Sequence, residues 1–180
     1  MQSRIELPRA HDMDPQQQAI YQSVLDTRGN ADGPFLAWLH SPGLAEPAQQ
    51  LGAFCRYDTR LSLVESELLI LCVAAHFRCD GEQQIHEPIA IQAGLPEAMV
   101  ATLREGGWAH LESPRLALLQ RLARQLLDDQ RIDDATFEAG RRALGTQTLV
   151  EVVGLIGYYS LVAMTLNAFE MRLGRHEAGG

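Results

Sequence analysis

The chain has 180 residues and a formal net charge of −8 at pH 7. That length suits one domain, alone or with a helical N-terminal extension. The acidic balance argues against a nucleic-acid or anionic-membrane surface, since both need basic patches. All 15 basic residues are arginine, which removes Schiff-base lysine chemistry and the phosphate-binding P-loop lysine.

In chain order, every strong periodic signal is helical. Asp14 and Pro15 predict an N-cap and first helical position for a segment running to about Thr27. A Gly- and Asn-containing turn separates it from a short helix over residues 34–40, which Ser41-Pro42-Gly43 stops. Residues 45–56 predict another helix. Ser62 and Glu65 form a capping-box pattern that opens a helix to about Phe77. Residues 68–75 are apolar on all sides, so that helix is expected to be buried around most of its circumference.

A break at residues 78–81 leads into a helix ending at Ala93, with Gly94 as its stop. Pro96 opens a short helix to about Glu105. Ser113-Pro114 opens another, with Leu116, Leu119, Leu122, Ala123 and Leu126 on one stripe. Asp133 caps a helix ending near Gly145, and Thr146 or Thr148 begins a long apolar helix to about Met171. That last segment is apolar enough to raise a membrane question. Glu151, Ser160, Thr165 and Asn167 interrupt it, so a buried central helix is expected rather than a membrane span. Residues 175–180 read as a frayed tail. The predicted fold class is all-α.

Cys55, Cys72 and Cys79 make an odd number, and the polar N-terminus has no apolar leader. A reduced, cytoplasmic protein is the expectation.

Candidate chemistry concentrates between Glu67 and His86. Glu82 and His86 are four apart and share a helix face, where a carboxylate orients an imidazole for proton transfer. Cys79 falls near the helix start, where free N–H groups favour a thiolate. Glu67, on the apolar helix, must face solvent or find a partner inside. The plainer readings are an exposed Glu–His pair, a small buried cysteine and a solvated glutamate. His76, Cys79, Glu82 and His86 match no familiar zinc spacing, so no metal is expected. His40 and Trp38 read as packing and capping residues. Tyr158 and Tyr159 read as core or subunit-interface residues whose hydroxyls would need partners.

Two stretches, "GPFLAWLHSPGLAEPAQQLGAFCRYDTRLSLVESELLILCVAAHFRCDGEQQIHEPIAIQAGLP" and "LVEVVGLIGYYSLVAMTLNAFEM", resemble the carboxymuconolactone decarboxylase family, which shares its fold with the alkyl hydroperoxidase D-like proteins. The resemblance spans residues 33–173, leaving 1–32 as a helical N-terminal extension of a single domain over 1–180. It implies an all-α fold built around a helical hairpin, and assembly into homodimers, trimers or hexamers. Peroxidase members carry a glutamate, a Cys-x-x-Cys pair and a histidine. Glu67, Cys79 and His86 match the first, second and last of these, whereas Glu82 stands at the second cysteine, the peroxide-reacting thiol. The Glu82–His86 pair is similar instead to the glutamate–histidine version of decarboxylase-like members.

The resemblance thus implies an enzyme without cofactor or metal, acting by proton transfer on a small carboxylated lactone or related metabolite. His86 would be the acid–base, oriented by Glu82, with Glu67 shuttling a proton or holding water. Arg60 or Arg78 is the candidate holder of the substrate carboxylate. One alternative is a thiol-dependent peroxidase or reductase using Cys79, Glu67 and His86. The other is a non-catalytic ligand-binding or assembly protein. No nucleic-acid or membrane partner is expected.

Overall fold

The computed structural model describes residues 2–172, so the tail expected at 175–180 lies outside the described residues. Helix α1 spans Pro15–Arg28, with the Asp14 side chain accepting from Gln17 N at 2.9 Å and Gly29 closing the far end in the left-handed region. Short α2 (Phe35–Trp38) and α3 (Pro42–Ala53) follow. At its C-terminus α3 loosens into a π-helical turn, Phe54–Asp58. The sequence reading carried an α-helix through Arg56. Arg56 and Tyr57 lie on that turn.

Helix α4 (Leu63–His76) opens with the predicted capping box, in which Glu65 reaches back to Ser62 N at 2.8 Å. From Glu65 to Ala75 every residue is buried. The reason is position: α4 packs against α5 (Asp80–Ala93), α6 (Glu97–Arg104), α7 (Pro114–Arg124) and α8 (Asp134–Ala168), so no side faces water. The α4–α5 hairpin turns through Arg78, whose φ of 48° is uncommon for a non-glycine residue. Gly94 ends α5 in the left-handed region, as expected.

Helix α8 is interrupted at Gly145 (φ 78°, ψ 161°), which separates the Asp133-capped segment from the long apolar one. The apolar segment ends at Ala168, slightly before the expected Met171. It is long and apolar enough to cross a membrane. Here, however, it packs on α3, α4, α5 and α7 as a core helix. Its buried Glu151 is satisfied by Arg60 N at 2.7 Å and by Gln147 Nε2 at 2.9 Å, which removes most of the cost of an acid on that face. No strand occurs among the described residues; Gln2 and Arg172 form an isolated bridge.

Candidate active site

The α4–α5 hairpin brings together side chains nineteen residues apart. His86 Nδ1 donates to Glu67 Oε2 at 2.7 Å, and the two side chains are only 4% and 1% exposed. An ionised carboxylate only accepts, so the bonded proton sits on Nδ1 and the neutral ring keeps its lone pair on Nε2. On that edge Glu82 Oε2 lies 3.5 Å away. This oxygen is buried and has no hydrogen-bond partner.

The two carboxylates therefore divide the work differently from the expectation. Glu67 fixes the ring, and Glu82 shares the open edge with Nε2. Glu67 neither faces solvent nor stands apart, because α4 places it behind the imidazole.

Burial raises the Glu82 pKa above its ordinary 4.5, and the Glu67 charge adds to this; His86 and Arg56 pull the other way without cancelling it. Glu82 is thus a carboxyl group prone to hold a proton. Arg56, delivered by the π-helical turn, lies 3.8 Å from Glu67 Oε1 and within hydrogen-bonding reach of the Tyr159 hydroxyl. Tyr159 meets the His86 ring edge-on, centroids 5.4 Å apart at 90°. Burial keeps the phenol protonated by raising its pKa.

Glu82 and His86 open onto a cavity of about 150 Å³, also lined by Arg28, Arg56, Tyr158 and Tyr159. Asn30, Asp32 and Phe35 also line it. A larger, open hollow near the termini, about 730 Å³, is lined by residues such as Arg4 and Glu170 and holds none of these groups.

Two sequence expectations need correction. The helix start does not make Cys79 a thiolate. Burial pushes its thiol up to about 11, outweighing the Glu82 and Gly81 N–H groups that favour the anion. Cys79 is 1% exposed and does not line the cavity. Nor do Arg60 and Arg78 line it; Arg28 and Arg56 do. His76 points elsewhere, pairing with Asp128 at 3.1 Å. Trp38 is a packing residue, its indole donating to Thr165 Oγ1 at 3.0 Å, while His40 donates to Glu6 O at 2.7 Å.

Sequence reasoning missed Arg28 and Arg56. An arginine at a helix C-terminus reads as an ordinary dipole partner, and a π turn leaves no clear sequence mark. The one available signal was the Tyr158–Tyr159 pair on an apolar helix, whose hydroxyls required polar neighbours.

No protein-family model and no curated protein matches the chain. Solved structures do. An uncharacterized peroxidase-related protein from Ralstonia eutropha JMP134, described as an alkylhydroperoxidase AhpD core, superposes with a TM-score of 0.79 at 18% identity, covering 96% of this chain and 93% of that one. An uncharacterized peroxidase-related protein from Silicibacter sp. TM1040 gives 0.79 at 14% identity, covering 98% and 94%. The debrominase Bmp8 gives 0.74 at 12% identity, covering 94% and 91%. The chain therefore has the alkyl hydroperoxidase D-like all-α fold.

Proposed function

We propose that this protein is a general acid–base enzyme, similar in chemistry to the carboxymuconolactone decarboxylases, acting on a small carboxylated lactone or related metabolite. One observation carries the reading: a buried imidazole held through Nδ1 by Glu67, with Nε2 and the protonatable Glu82 opening on one cavity. His86 Nε2 removes or delivers a proton at a substrate carbon, and Glu82 supplies or receives the second proton of the cycle. Tyr159 lines the same cavity, where its phenolic O–H is the group placed to donate to an enolate oxygen.

For a carboxylate whose β,γ double bond is conjugated to a lactone carbonyl, the bond to the carboxyl carbon breaks, CO2 leaves, and the electron pair passes through the double bond onto the carbonyl oxygen as a dienolate. Tyr159 stabilises that anion, and the protonated Glu82 delivers a proton to its carbon and regains one from solvent. A cytoplasmic homo-oligomer belongs to the same reading.

A thiol-peroxidase reading draws support from two fold neighbours described as peroxidase-related. Against it stand the raised pKa of Cys79 and its place outside the cavity. The test is to screen purified protein against carboxylated lactones and unsaturated acids in D2O, and against hydroperoxides with a dithiol. The proposal expects deuterium incorporation or CO2 release that Cys79→Ser retains. It expects His86→Gln to lower turnover by on the order of 10²–10⁴-fold. Peroxide consumption lost in Cys79→Ser, with no proton-transfer activity, would establish the other reading.

A further inference from the structure

The apolar segment of α8 has an outer side that the rest of the fold leaves open. Val150, Val153 and Met164 are 66%, 47% and 50% exposed. Between them Gly154 and Gly157 are exposed, and a Cβ added to either would meet no atom within 4 Å. From Thr146 to Ala168, roughly 30 Å of helix, the only carboxylate is Glu151, which is buried, and there is no arginine. The outer side is therefore neutral along its whole length.

Helix α3 and the π-helical turn extend this face. Trp38 donates to Thr165, and Arg60 N donates to Glu151, so the chain from 38 to 60 passes antiparallel along α8. Within α3, Gln49 turns to Ser23 of α1 and Gly52 turns to Tyr158 of α8. At 3.6 residues per turn, Leu44 and Leu51 fall beyond Gly52 on the side away from Gln49, next to the open side of α8. Phe54 follows at the start of the π turn. Six of the eleven large apolar side chains exposed among the described residues thus gather on two neighbouring elements. Scattered singly, such side chains are ordinary; gathered without charge, they mark an interaction surface.

A second copy of this chain is the occupant that fits. At a net charge of −8, association through a charged face sets like charges against each other, whereas this face brings none. A helix built to lie in a membrane interface carries Lys or Arg beside its apolar side; α8 has neither between Arg142 and its end. The order of side-chain size also matches itself. Val150 stands seven residues before Gly157 and Met164 seven after it. An antiparallel copy centred there sets the large side chains of one helix against those of the other, with glycines at the crossing where backbones approach most closely.

We propose that α8 packs antiparallel on α8 of a second copy about a two-fold axis at Gly157, with Leu44, Leu51 and Phe54 widening the interface. In that arrangement Val150 meets Met164 of the partner subunit, twice per dimer. This rests on the homo-oligomer of the proposed function and gives it an interface; the acid–base chemistry has no part in it.

The test is sedimentation velocity over a concentration series on wild type, Val150→Arg, Met164→Glu and the double variant, with circular dichroism to confirm folding. Wild type sediments as a dimer or an even multiple of one. Each single variant dimerises at least about tenfold more weakly, and the double variant regains at least about tenfold, because each introduced cation then faces an introduced carboxylate. Trp108→Glu, at an exposed residue outside this face, leaves the assembly unchanged. A monomeric wild type overturns the proposal whether or not the variants fold, and if it binds phosphatidylcholine vesicles the face belongs to a lipid surface instead. Folded single variants that associate as tightly as wild type also overturn it, as does a double variant no better than the singles. Wild-type oligomers that survive both single variants keep the homo-oligomer and discard this interface, and turnover assays judge the acid–base chemistry separately.

Discussion

Glu67 and Glu82 flank one imidazole from opposite edges, and burial acts on each according to its partners. Glu67 has a short bond to Nδ1 and the Arg56 charge nearby. Replacing it with alanine would leave the buried His86 Nδ1–H without its acceptor, a loss of about 1–3 kcal/mol. Glu82 has an unpartnered oxygen and a raised pKa. Its folded-state preference for the proton means its contribution to stability is full below 4.5, the ordinary value, and is lost as pH rises through the raised one. Glu82→Gln should therefore melt above wild type at pH 7, with the gap closing toward pH 4 in calorimetric scans. For Cys79, a thiol moved from 9.0 to about 11 carries about a hundredfold less thiolate at pH 8. Mass spectrometry after brief iodoacetamide treatment should find Cys79 unmodified in the native protein and labelled in urea. Rapid native labelling would return the thiol to the chemistry.

At the scale of elements, caps and stops were legible because each depends on one or two residues with a local mechanism. Asp14, Ser62, Glu65, Asp133 and Gly94 were read correctly. So was the division of the last helical stretch at Gly145. The π turn at Phe54–Asp58 was not, because its residues have ordinary helical propensities and only packing decides its extra width. Gly145 occupies φ 78°, ψ 161°, a region open essentially to glycine alone, and Gly145→Ala should cost about 1–3 kcal/mol in urea denaturation. Gly52→Ala acts differently. Its added methyl collides with Tyr158 and Arg28, so it should weaken ligand binding in the cavity more than a surface alanine substitution does.

At the scale of the whole molecule, the cavity is assembled from separate parts of the chain: the end of α1 and its following loop, the π turn, α5 and α8. The sequence made the hairpin share of it visible, since Glu82 and His86 are one turn apart and Glu67 lies on the preceding helix. It could not show Arg28, Arg56 or Tyr159 at the same place, because long-range packing, not spacing, brings them there. The central claim is that this packing fixes His86 with Nδ1 bound to Glu67 and Nε2 turned to Glu82 and the cavity. Long-range nitrogen–proton NMR of the His86 ring across a pH series tests it most directly. The account predicts a neutral ring with its proton on Nδ1 and none on Nε2, and disturbance of that pattern in Glu67→Gln. A ring that keeps its proton on Nε2 while Nδ1 is bare would contradict it.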